Sequence, residues 1–330
     1  MLQFVVRRVL IAIPTLFAIS VVSFILIQLP PGDFLTTYAA NLAAQGEGSD
    51  TVNKQLEALR DAYGLNQPVY VQYYKWISRI VLHGDFGQSL EWQLPVSQLL
   101  WDRMGATLVL TVTTLLFTWL LAIPIGVYSA THQYSAGDYL FTALAFVGLG
   151  IPSFMIALVL MWVAFRYLGM DVGGLFSPQY RGAPWSVGKA LDLLGHFWIP
   201  LVIIGLEGTA GLIRTMRANL LDELNKPYVI AARARGVSER TLIWEYPVRV
   251  ALNPFVSSAG FALPGLISGA TIVGIVLSLP IFSPMLYQAL VSQDMYLAGA
   301  FILLIGALTI IGMLISDIVL AWLDPRIRYS

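Results

Sequence analysis

The feature that most constrains this chain is a series of long runs that contain no charged residue. A helix that crosses the hydrocarbon core of a bilayer needs about 20 consecutive apolar residues. Three charge-free runs meet that length, namely Val9–Leu29, Ala106–Ala130 and Tyr139–Phe165. Two less pure segments follow, Gly195–Met216 with Glu207 inside it and Met295–Leu323 with Asp317 inside it.

A very long neutral tract, Val250–Gln293, lies between these last two segments. Pro280 and Pro284 come after Leu279 and favour one helix followed by a short outer loop or a re-entrant turn. We therefore expect six spans and an all-α membrane protein, with five or seven spans as the alternatives. The composition agrees, since 57% of the residues are hydrophobic and 12% are charged, against about 45–50% and about 25% in soluble domains.

The remaining composition excludes several classes of site and partner. The chain has no cysteine, which excludes disulfides, thiolate metal sites and cysteine nucleophiles. Its 19 basic residues balance its 19 acidic residues, so the overall charge gives no reason to expect nucleic acid as a partner.

The first apolar run has a cleaved signal peptide as its alternative interpretation, because Arg7 and Arg8 precede it. Its length exceeds the roughly 7–15 apolar residues of a signal peptide, and Leu29-Pro30-Pro31 is a poor cleavage site. We expect a retained helix. The predicted organisation is then 1–32 for the N-terminus and first span, 33–103 for an outer loop, 104–323 for a core that includes an inner loop at 217–249, and 324–330 for a tail.

Lysine and arginine set the predicted orientation. With six spans and the N-terminus inside, the inner segments carry most of the basic residues in short stretches. The positive-inside rule then places both termini in the cytoplasm. It places Tyr228–Pro247, here called the polar segment, on the same side of the membrane.

The polar segment is helix-prone and lies between two apolar segments, which favours it as a contact point for another protein. Pro227 suits the first turn of a helix, and Gly236 suits a left-handed end. Ser238 is then placed to cap a second short helix. An amphipathic surface resting on anionic lipid is the alternative, but Glu239 and Glu245 dilute the positive face that lipid binding needs.

The outer loop has helix signals of its own. Val52, Leu56, Leu59 and Tyr63 recur at helical spacing, and Pro68 opens a second amphipathic stretch. That stretch carries Tyr70, Tyr73, Tyr74, Trp76, Ile77 and Ile80. Aromatic residues beside a membrane are typical of an interfacial belt, with a docking surface for a delivered substrate or its carrier as the alternative.

Several short motifs, in order along the chain, carry a resemblance to a known family. They are Phe4–Arg8, Pro31–Asp33, Tyr63–Val69, Gln72–Tyr73 with Trp76, Gly84–Ser89, Ala232–Gly236 and Leu323–Arg328. The chain resembles the dipeptide and oligopeptide permease family of ABC importers, specifically the first of its two membrane subunits.

The resemblance implies a type I ABC importer permease fold of six transmembrane helices with a helical extracytoplasmic loop between the first two, in the bacterial inner membrane. It also implies a second homologous permease, two ABC ATPase subunits that bind ATP and Mg, and an extracytoplasmic solute-binding protein. Peptides are the family's commonest cargo, with oligosaccharides, opines and nickel as alternatives.

By the same resemblance, the polar segment looks like the EAA loop that fits a groove on the ATPase. The residues that would take this role are Tyr228, Ala231, Ala232, Arg233, Ala234, Arg235, Gly236, Ser238, Glu239 and Arg240. Ile230 stands where the general loop has its glutamate, so the charged contacts would come from the three arginines.

Some chemistry is missing from the sequence. Gly188-Lys189 is followed by Ala190 and lacks the upstream glycine of a phosphate-binding loop, so we expect no ATP hydrolysis by this chain. His83, His132 and His196 are widely separated and predict no metal site.

Glu207 and Asp317 are costly inside hydrocarbon and are therefore candidates for function. Glu207 could line the translocation path or make a packing contact with a neighbouring helix, and it shares a helix face with Arg214 at i+7. For Asp317 a structural role near the inner end is favoured. An intramembrane enzyme would need a second catalytic group at matching depth, and a proton-driven transporter would work through Glu207 without an ATPase.

Gly265 and Gly269 form a small-xxx-small face in the long neutral tract. Tight helix packing explains such a face. Contact with a sister permease is the alternative.

Overall fold

The computed structural model describes residues 2–28, 52–54, 56–57, 66–89, 91–169 and 173–323. Within these ranges the chain is helical, apart from turns, connecting segments and one isolated bridge between Gln88 and Pro95. The first six helices are α1 Leu2–Gln28, α2 Val69–His83, α3 Val96–Thr131, α4 Ala136–Gly150, α5 Ser153–Leu168 and α6 Val187–Leu224. A short 3-10 helix, Pro178–Tyr180, precedes α6.

Eight more helices complete the described chain, most of them short. They are α7 Pro227–Ala234, α8 Glu239–Glu245, α9 Pro247–Ala251, α10 Asn253–Ala259, α11 Ala262–Gly269, α12 Thr271–Val276, α13 Phe282–Val291 and α14 Met295–Leu323.

Four helices of the described chain are long and apolar enough to cross a membrane. These are α1, α3, α6 and α14, whose mean hydropathies reach 2.6, 2.2, 1.5 and 2.5. Taken together, α4 and α5 are also long and apolar enough, but they meet at a 99° bend. The described chain therefore has four spans, or five if the bent pair counts as one. The spans expected near Val9–Leu29, Ala106–Ala130, Gly195–Met216 and Met295–Leu323 are confirmed as helices.

The third expected span, Tyr139–Phe165, is not one straight helix. It breaks at Ile151 and Pro152, between α4 and α5. Proline disfavours the helical conformation in the residue before it, and Ile151 accordingly has φ −100° and ψ 125°. The sequence Gly148-Leu149-Gly150-Ile151-Pro152 indicates this break. The prediction missed it because it rested on the absence of charged residues.

The fifth expected span was also wrong as a single helix, because Val250–Gln293 is divided among short helices. Pro254 opens α10, and Gly260 and Phe261 separate α10 from α11. The predicted end near Leu279 agrees with the end of α12 at Val276, beyond which Ser278 has a positive φ of 51°. An apolar composition indicates that a segment is buried, whereas glycine and proline indicate where its helix is interrupted.

The chain divides into two compact units. The first comprises Met1–Val9, Ala106–Ile281 and Thr309–Ser330, and the second comprises Leu10–Gly105 and Phe282–Leu308, each through its described residues. In the first unit, buried side chains of α3 and α6 such as Leu110, Ile199 and Ile203 form one core cluster. Met216, Leu220 and Phe255 belong to another cluster, near the end of α6.

The second unit joins the C-terminal part of α1 to α2. Tyr73 donates or accepts a 2.7 Å hydrogen bond with Ser20, and its ring lies 5.5 Å from that of Phe24. The amphipathic helix expected after Pro68 is thus confirmed as α2. Asp294, which is buried just before α14, accepts a 2.5 Å hydrogen bond from the hydroxyl of Ser89.

Parts of the prediction lie outside the described residues. They include most of the helix expected between Val52 and Tyr63, the motif at Pro31–Asp33 and the 324–330 tail.

Candidate functional site

The first helix of the polar segment, α7, begins and ends as its sequence predicts. Pro227 occupies the first helical position, and Gly236 has a left-handed φ of 81°. The N–H of Val237 donates to the carbonyl of Ala232 at 3.4 Å, and that of Gly236 donates to Arg233 at 3.0 Å. These two bonds form a Schellman motif, which satisfies carbonyls at the helix end and turns the chain sharply.

The second helix, α8, begins at Glu239 with Ser238 in the N-cap position. The Ser238 hydroxyl does not accept a backbone N–H, and instead donates to the hydroxyl of Thr241 at 2.9 Å. The prediction that Ser238 marks the start of this helix is confirmed, but its capping hydrogen bond goes to a side chain.

A small apolar core holds α7 and α8 together. Val229, Ala232 and Leu242 are each 0% exposed, and Val237 and Tyr246 pack against them. Ala232 is therefore small because another helix of the same chain lies over it. Sequence reasoning missed Val229 and Leu242, although their apolar side chains in a polar stretch were the available signal.

One ion pair crosses the turn between the two helices. The guanidinium of Arg233 donates to both carboxylate oxygens of Glu239, at 2.6 and 3.3 Å. The hydrogen bond from Arg233 lowers the pKa of Glu239 below its usual value. Arg235 and Arg240 are exposed and have no ion-pair partner among the described residues, so they present their charge outward.

The outward side of α7 combines small and apolar side chains with this charge. Ile230 is 56% exposed, and Ala231 and Ala234 are also exposed. Tyr228 donates a 2.5 Å hydrogen bond to Glu223, near the end of α6. Burial, and next this carboxylate, raise the pKa of Tyr228 well above its usual value, which keeps the phenol protonated. Two of the exposed side chains on this surface are alanines, so little side-chain bulk covers the α7 backbone there.

The preceding helix, α6, is fixed by a buried ion pair. Arg217 donates to both carboxylate oxygens of Asp138 in α4, at 3.0 and 3.2 Å. The Asp138 side chain is 6% exposed, and its carboxylate also accepts the N–H of Tyr134 at 3.0 Å. Sequence reasoning counted Arg217 only as an inner basic residue and missed Asp138, since no periodicity relates residues so far apart in the chain.

A cavity of about 370 Å³ lies within the first unit. One wall is the face of α3 that carries Thr111, Thr114 and Thr118, at i, i+3 and i+7. Ser258 of α10 and Glu207 of α6 also line it, together with apolar side chains. The cavity is thus lined by threonines along the α3 face, and elsewhere by mostly apolar side chains with Glu207 and two serines, Ser153 and Ser258, among them.

Glu207 is exposed to this cavity and has no hydrogen bond or ion pair with any described residue. Arg214, the other charge on its helix face, lies 5.8 Å from the centre of the Phe146 ring instead. Asp317 differs, because its carboxylate lies 3.2 Å from Nε of Arg8, which agrees with a structural role. Of the two candidate acids, only Glu207 therefore has no partner among the residues that the structure describes.

The glycines of the long neutral tract are of two kinds. A Cβ atom added at Gly265 or Gly269 would meet no atom within 4 Å, and both residues line the cavity. A Cβ atom at Gly260 would lie 2.8 Å from the Cα of Met313. The tight packing expected of Gly265 and Gly269 is therefore wrong within the described chain, and it occurs at Gly260 instead.

The described residues contain no group of three or more histidine and acidic side chains placed to hold a metal ion. His196 is buried against the Asp192 carbonyl, with its Nδ1 at 2.8 Å. The His132 ring stacks on Tyr128, with centroids 4.7 Å apart.

The described chain has several helices long enough to cross a membrane, a short helix pair at a glycine turn after one of them, and a cavity between helices. Together these features define a membrane transport subunit. Residues 122–329 match the family described as binding-protein-dependent transport system inner membrane component. Residues 1–111 match its N-terminal family. The chain belongs to this family of multi-pass inner-membrane permeases.

Its curated relatives match over their full lengths. The chain is 33% identical to the oligopeptide transport system permease protein AppB of Bacillus subtilis (strain 168) over 331 residues, which is 100% of both chains. It is 30% identical to the oligopeptide transport system permease protein OppB of Haemophilus influenzae, again over 100% of both chains. It is also 30% identical to the glutathione transport system permease protein GsiC of Escherichia coli (strain K12), over 100% of both chains.

Proposed function

We propose that this chain forms half of the translocation path of an ATP-driven ABC importer for peptides. A second, homologous permease would supply the other half, two ABC ATPase subunits would bind ATP and Mg, and an extracytoplasmic solute-binding protein would deliver the solute. The full-length similarity to two oligopeptide permeases and a glutathione permease supports peptides as the cargo. Oligosaccharides, opines and nickel remain the alternative solutes.

The observation that carries this proposal is the geometry of the polar segment. Two short helices, joined at Gly236 and held by their own apolar core, expose the alanines and unpaired arginines that a groove on a partner would need. The contact surface would comprise Tyr228, Ala231, Ala232, Arg233, Ala234, Arg235, Gly236, Ser238, Glu239 and Arg240. Of these, Ala232 would act from within the core and Arg233 through its ion pair with Glu239.

The ATPases would move this segment, and α6 would carry the movement into the membrane. Asn225 and Lys226 alone separate α6 from α7, and the Tyr228–Glu223 hydrogen bond spans that junction. Glu207, on the same helix, would line the solute path through the cavity. Coupling of this kind requires two conformations that differ in their contact with the ATPases.

The proposed topology has six crossings, with both termini and the polar segment in the cytoplasm and residues 33–103 outside. The bent pair α4–α5 would be one crossing, and the broken tract within Val250–Gln293 another. Broken helices are tolerated in a membrane where they are covered by protein or line a cavity. The helices α10 to α12 meet that condition, since Ser258, Gly265 and Val273 all line the cavity.

The function is tested by purifying the chain with the proteins encoded beside it and reconstituting the complex in liposomes. We expect ATPase subunits to co-purify, and uptake of radiolabelled trialanine to require both ATP and the binding protein. Uptake by this chain alone, or driven by a proton gradient without ATP, would contradict the proposal and favour a secondary transporter.

The topology is tested by thiol labelling, for which the cysteine-free chain is well suited. A Ser238→Cys variant should react with a membrane-impermeant maleimide only in inside-out vesicles. A matched Ser78→Cys variant in α2 should react only in right-side-out vesicles or spheroplasts. The reverse pattern would refute the orientation.

A further inference from the structure

The cavity has a single sign of charge. Glu207 is the one ionisable side chain among the described residues that line it, and the others are serine, threonine, glycine or apolar residues. Its carboxylate has no ion pair or hydrogen bond within the described chain, whereas Asp138 and Asp317 both lie against arginines. Within the described lining, a cation from outside the chain would therefore find its one fixed counter-charge at Glu207.

An unpaired carboxylate at membrane depth is costly, and such residues mark substrate pathways because a substrate can supply the missing partner. A cationic N–H donor such as an ammonium group suits a lone carboxylate, since a charge-assisted hydrogen bond is about twice as strong as a neutral one. The missing counter-charge of Glu207 thus indicates the kind of group that it would bind, namely a cation.

The rest of the lining suits a solute whose other polar groups are neutral. The hydroxyl of Thr111 donates to the Thr107 carbonyl and that of Thr118 faces the Gly205 carbonyl at 3.4 Å, so both are held by backbone. The hydroxyl of Thr114 and the indole N–H of Trp119 have no hydrogen-bond partner among the described residues. Both of these groups are buried, and the remaining polar lining beside Glu207 is uncharged.

We infer that Glu207 is an ammonium-recognition group in the cavity, which favours solutes with a free amino group, such as the α-ammonium of a short peptide. This inference rests on the proposed function, and it adds the charge class of the solute. The cavity volume of about 370 Å³ is at the lower end of the range of about 300–1,000 Å³ found for small-molecule sites. The free end of a peptide, rather than a bulky folded ligand, fits that space.

The electrostatic part is tested with a reporter thiol beside the cavity. Ser258→Cys is the choice, because the Ser258 hydroxyl bonds only to the carbonyl of Phe255 within its own helix. Ser153 also lines the cavity, but it begins α5, whose helix dipole adds a positive potential. In the intact complex, the rates of reaction with trimethylammonioethyl and sulfonatoethyl methanethiosulfonate are compared.

The ratio of cationic to anionic labelling should fall about tenfold when Glu207→Gln is added to Ser258→Cys, because attraction of one reagent and repulsion of the other are lost together. Glu207→Asp keeps the charge and should keep the ratio within about twofold. A ratio that Glu207→Gln leaves unchanged would overturn the inference. Labelling is read on this chain alone, so thiols in partner subunits do not interfere.

The source of the ammonium is tested by protection of the same thiol. Trialanine, with its α-ammonium, should slow labelling, and N-acetyltrialanine should not. N-acetyl-Ala-Lys-Ala, whose only ammonium is on a side chain, tests whether the position of the ammonium group matters. Protection by this peptide would extend the recognised solutes to side-chain amines. No protection would restrict them to the α-amino group. Equal protection by all three peptides, or protection that survives Glu207→Gln, would refute the inference.

Failure here differs from failure of the proposed function. If the complex imports trialanine with ATP, but Glu207→Gln changes neither the labelling ratio nor the protection, the proposed function stands and the ammonium site is refuted. A complex with no ATP-dependent uptake loses the function itself.

Discussion

The polar segment and the cavity are built in opposite ways. The polar segment is held together by residues that are close in the chain. Its core consists of Val229, Ala232 and Leu242, and its ion pair is Arg233–Glu239. The cavity gathers lining residues from Thr111 to Val273, on helices far apart in the chain. The first region holds one ion pair and exposes Arg235 and Arg240, whereas in the second region Glu207 has no ion-pair partner among the described residues. Under the proposed function, the first region would be a preformed contact surface and the second a site completed by its solute.

One helix joins the two regions. Glu207 lies 17 positions before Leu224, the end of α6, which corresponds to about 25 Å along a helix. Arg217 lies between them and pairs with the buried Asp138. In the proposed mechanism, a movement of the polar segment would reach the cavity through α6, whose C-terminal part is held by this ion pair.

The largest effect is expected at the turn of the polar segment. Gly236→Val places a β-branched residue at a φ of 81°, which costs at least about 1–2 kcal/mol and displaces the second helix. We expect ATP-driven uptake to fall at least about tenfold while the complex still assembles. Uptake in reconstituted liposomes is the measurement.

The matched control for this prediction is Gly236→Asn, since asparagine tolerates the left-handed conformation. It should keep most of the uptake. Within the described chain, a Cβ atom at Gly236 would meet no atom within 4 Å, so the β-carbon of asparagine clashes with nothing there. Equal losses in both variants would contradict the argument from backbone conformation.

The second prediction separates the two kinds of glycine. Gly260→Ala brings a methyl group to 2.8 Å from Met313, and overpacking of this kind costs about 1–3 kcal/mol. Gly265→Ala meets no atom within 4 Å and should be neutral or raise stability by up to about 1 kcal/mol through helix propensity. The thermal stability of the purified complex measures both. If Gly265→Ala were the more damaging, a partner chain would have to cover that face.

The third prediction fills the cavity. Gly265→Leu and Gly269→Leu project bulk into the space that Glu207 faces, so uptake of trialanine should fall about fivefold with stability unchanged. Ala substitutions at the same two positions are the controls and should keep uptake within about twofold. Normal uptake by the leucine variants would show that solute does not pass through this space.

The smallest effect is expected within the polar segment. Glu239→Gln removes an exposed ion pair, which is worth little in water, so uptake at neutral pH should change less than about twofold. The pKa of Glu239 is lowered by Arg233, so the contribution of the pair is present above the ordinary carboxyl pKa and lost as pH falls through the lowered value. Wild type and variant should therefore converge in acid. A pH titration of thermal stability checks the direction.

The family and the polar segment were predictable because their signals are local. Long apolar segments, two of them charge-free and two interrupted by one acid each, predicted the helices α1, α3, α6 and α14, and Pro227 and Gly236 predicted where α7 begins and turns. The continuity of the third and fifth spans was not predicted correctly, because hydrophobicity measures burial and not backbone geometry. Ile151 with Pro152, and Gly260 with Phe261, carried that information in a few residues.

By itself, the sequence determined that the chain enters a membrane, where its polar segment begins and turns, and which family it resembles, since these depend on neighbouring residues and on composition. Only the tertiary structure decided that Arg217 pairs with Asp138, that Asp317 pairs with Arg8, and that Glu207 is left facing a cavity. The physical reason is that an ion pair or a cavity depends on distances between helices. The period of one helix contains no information about which face of a distant helix lies against it.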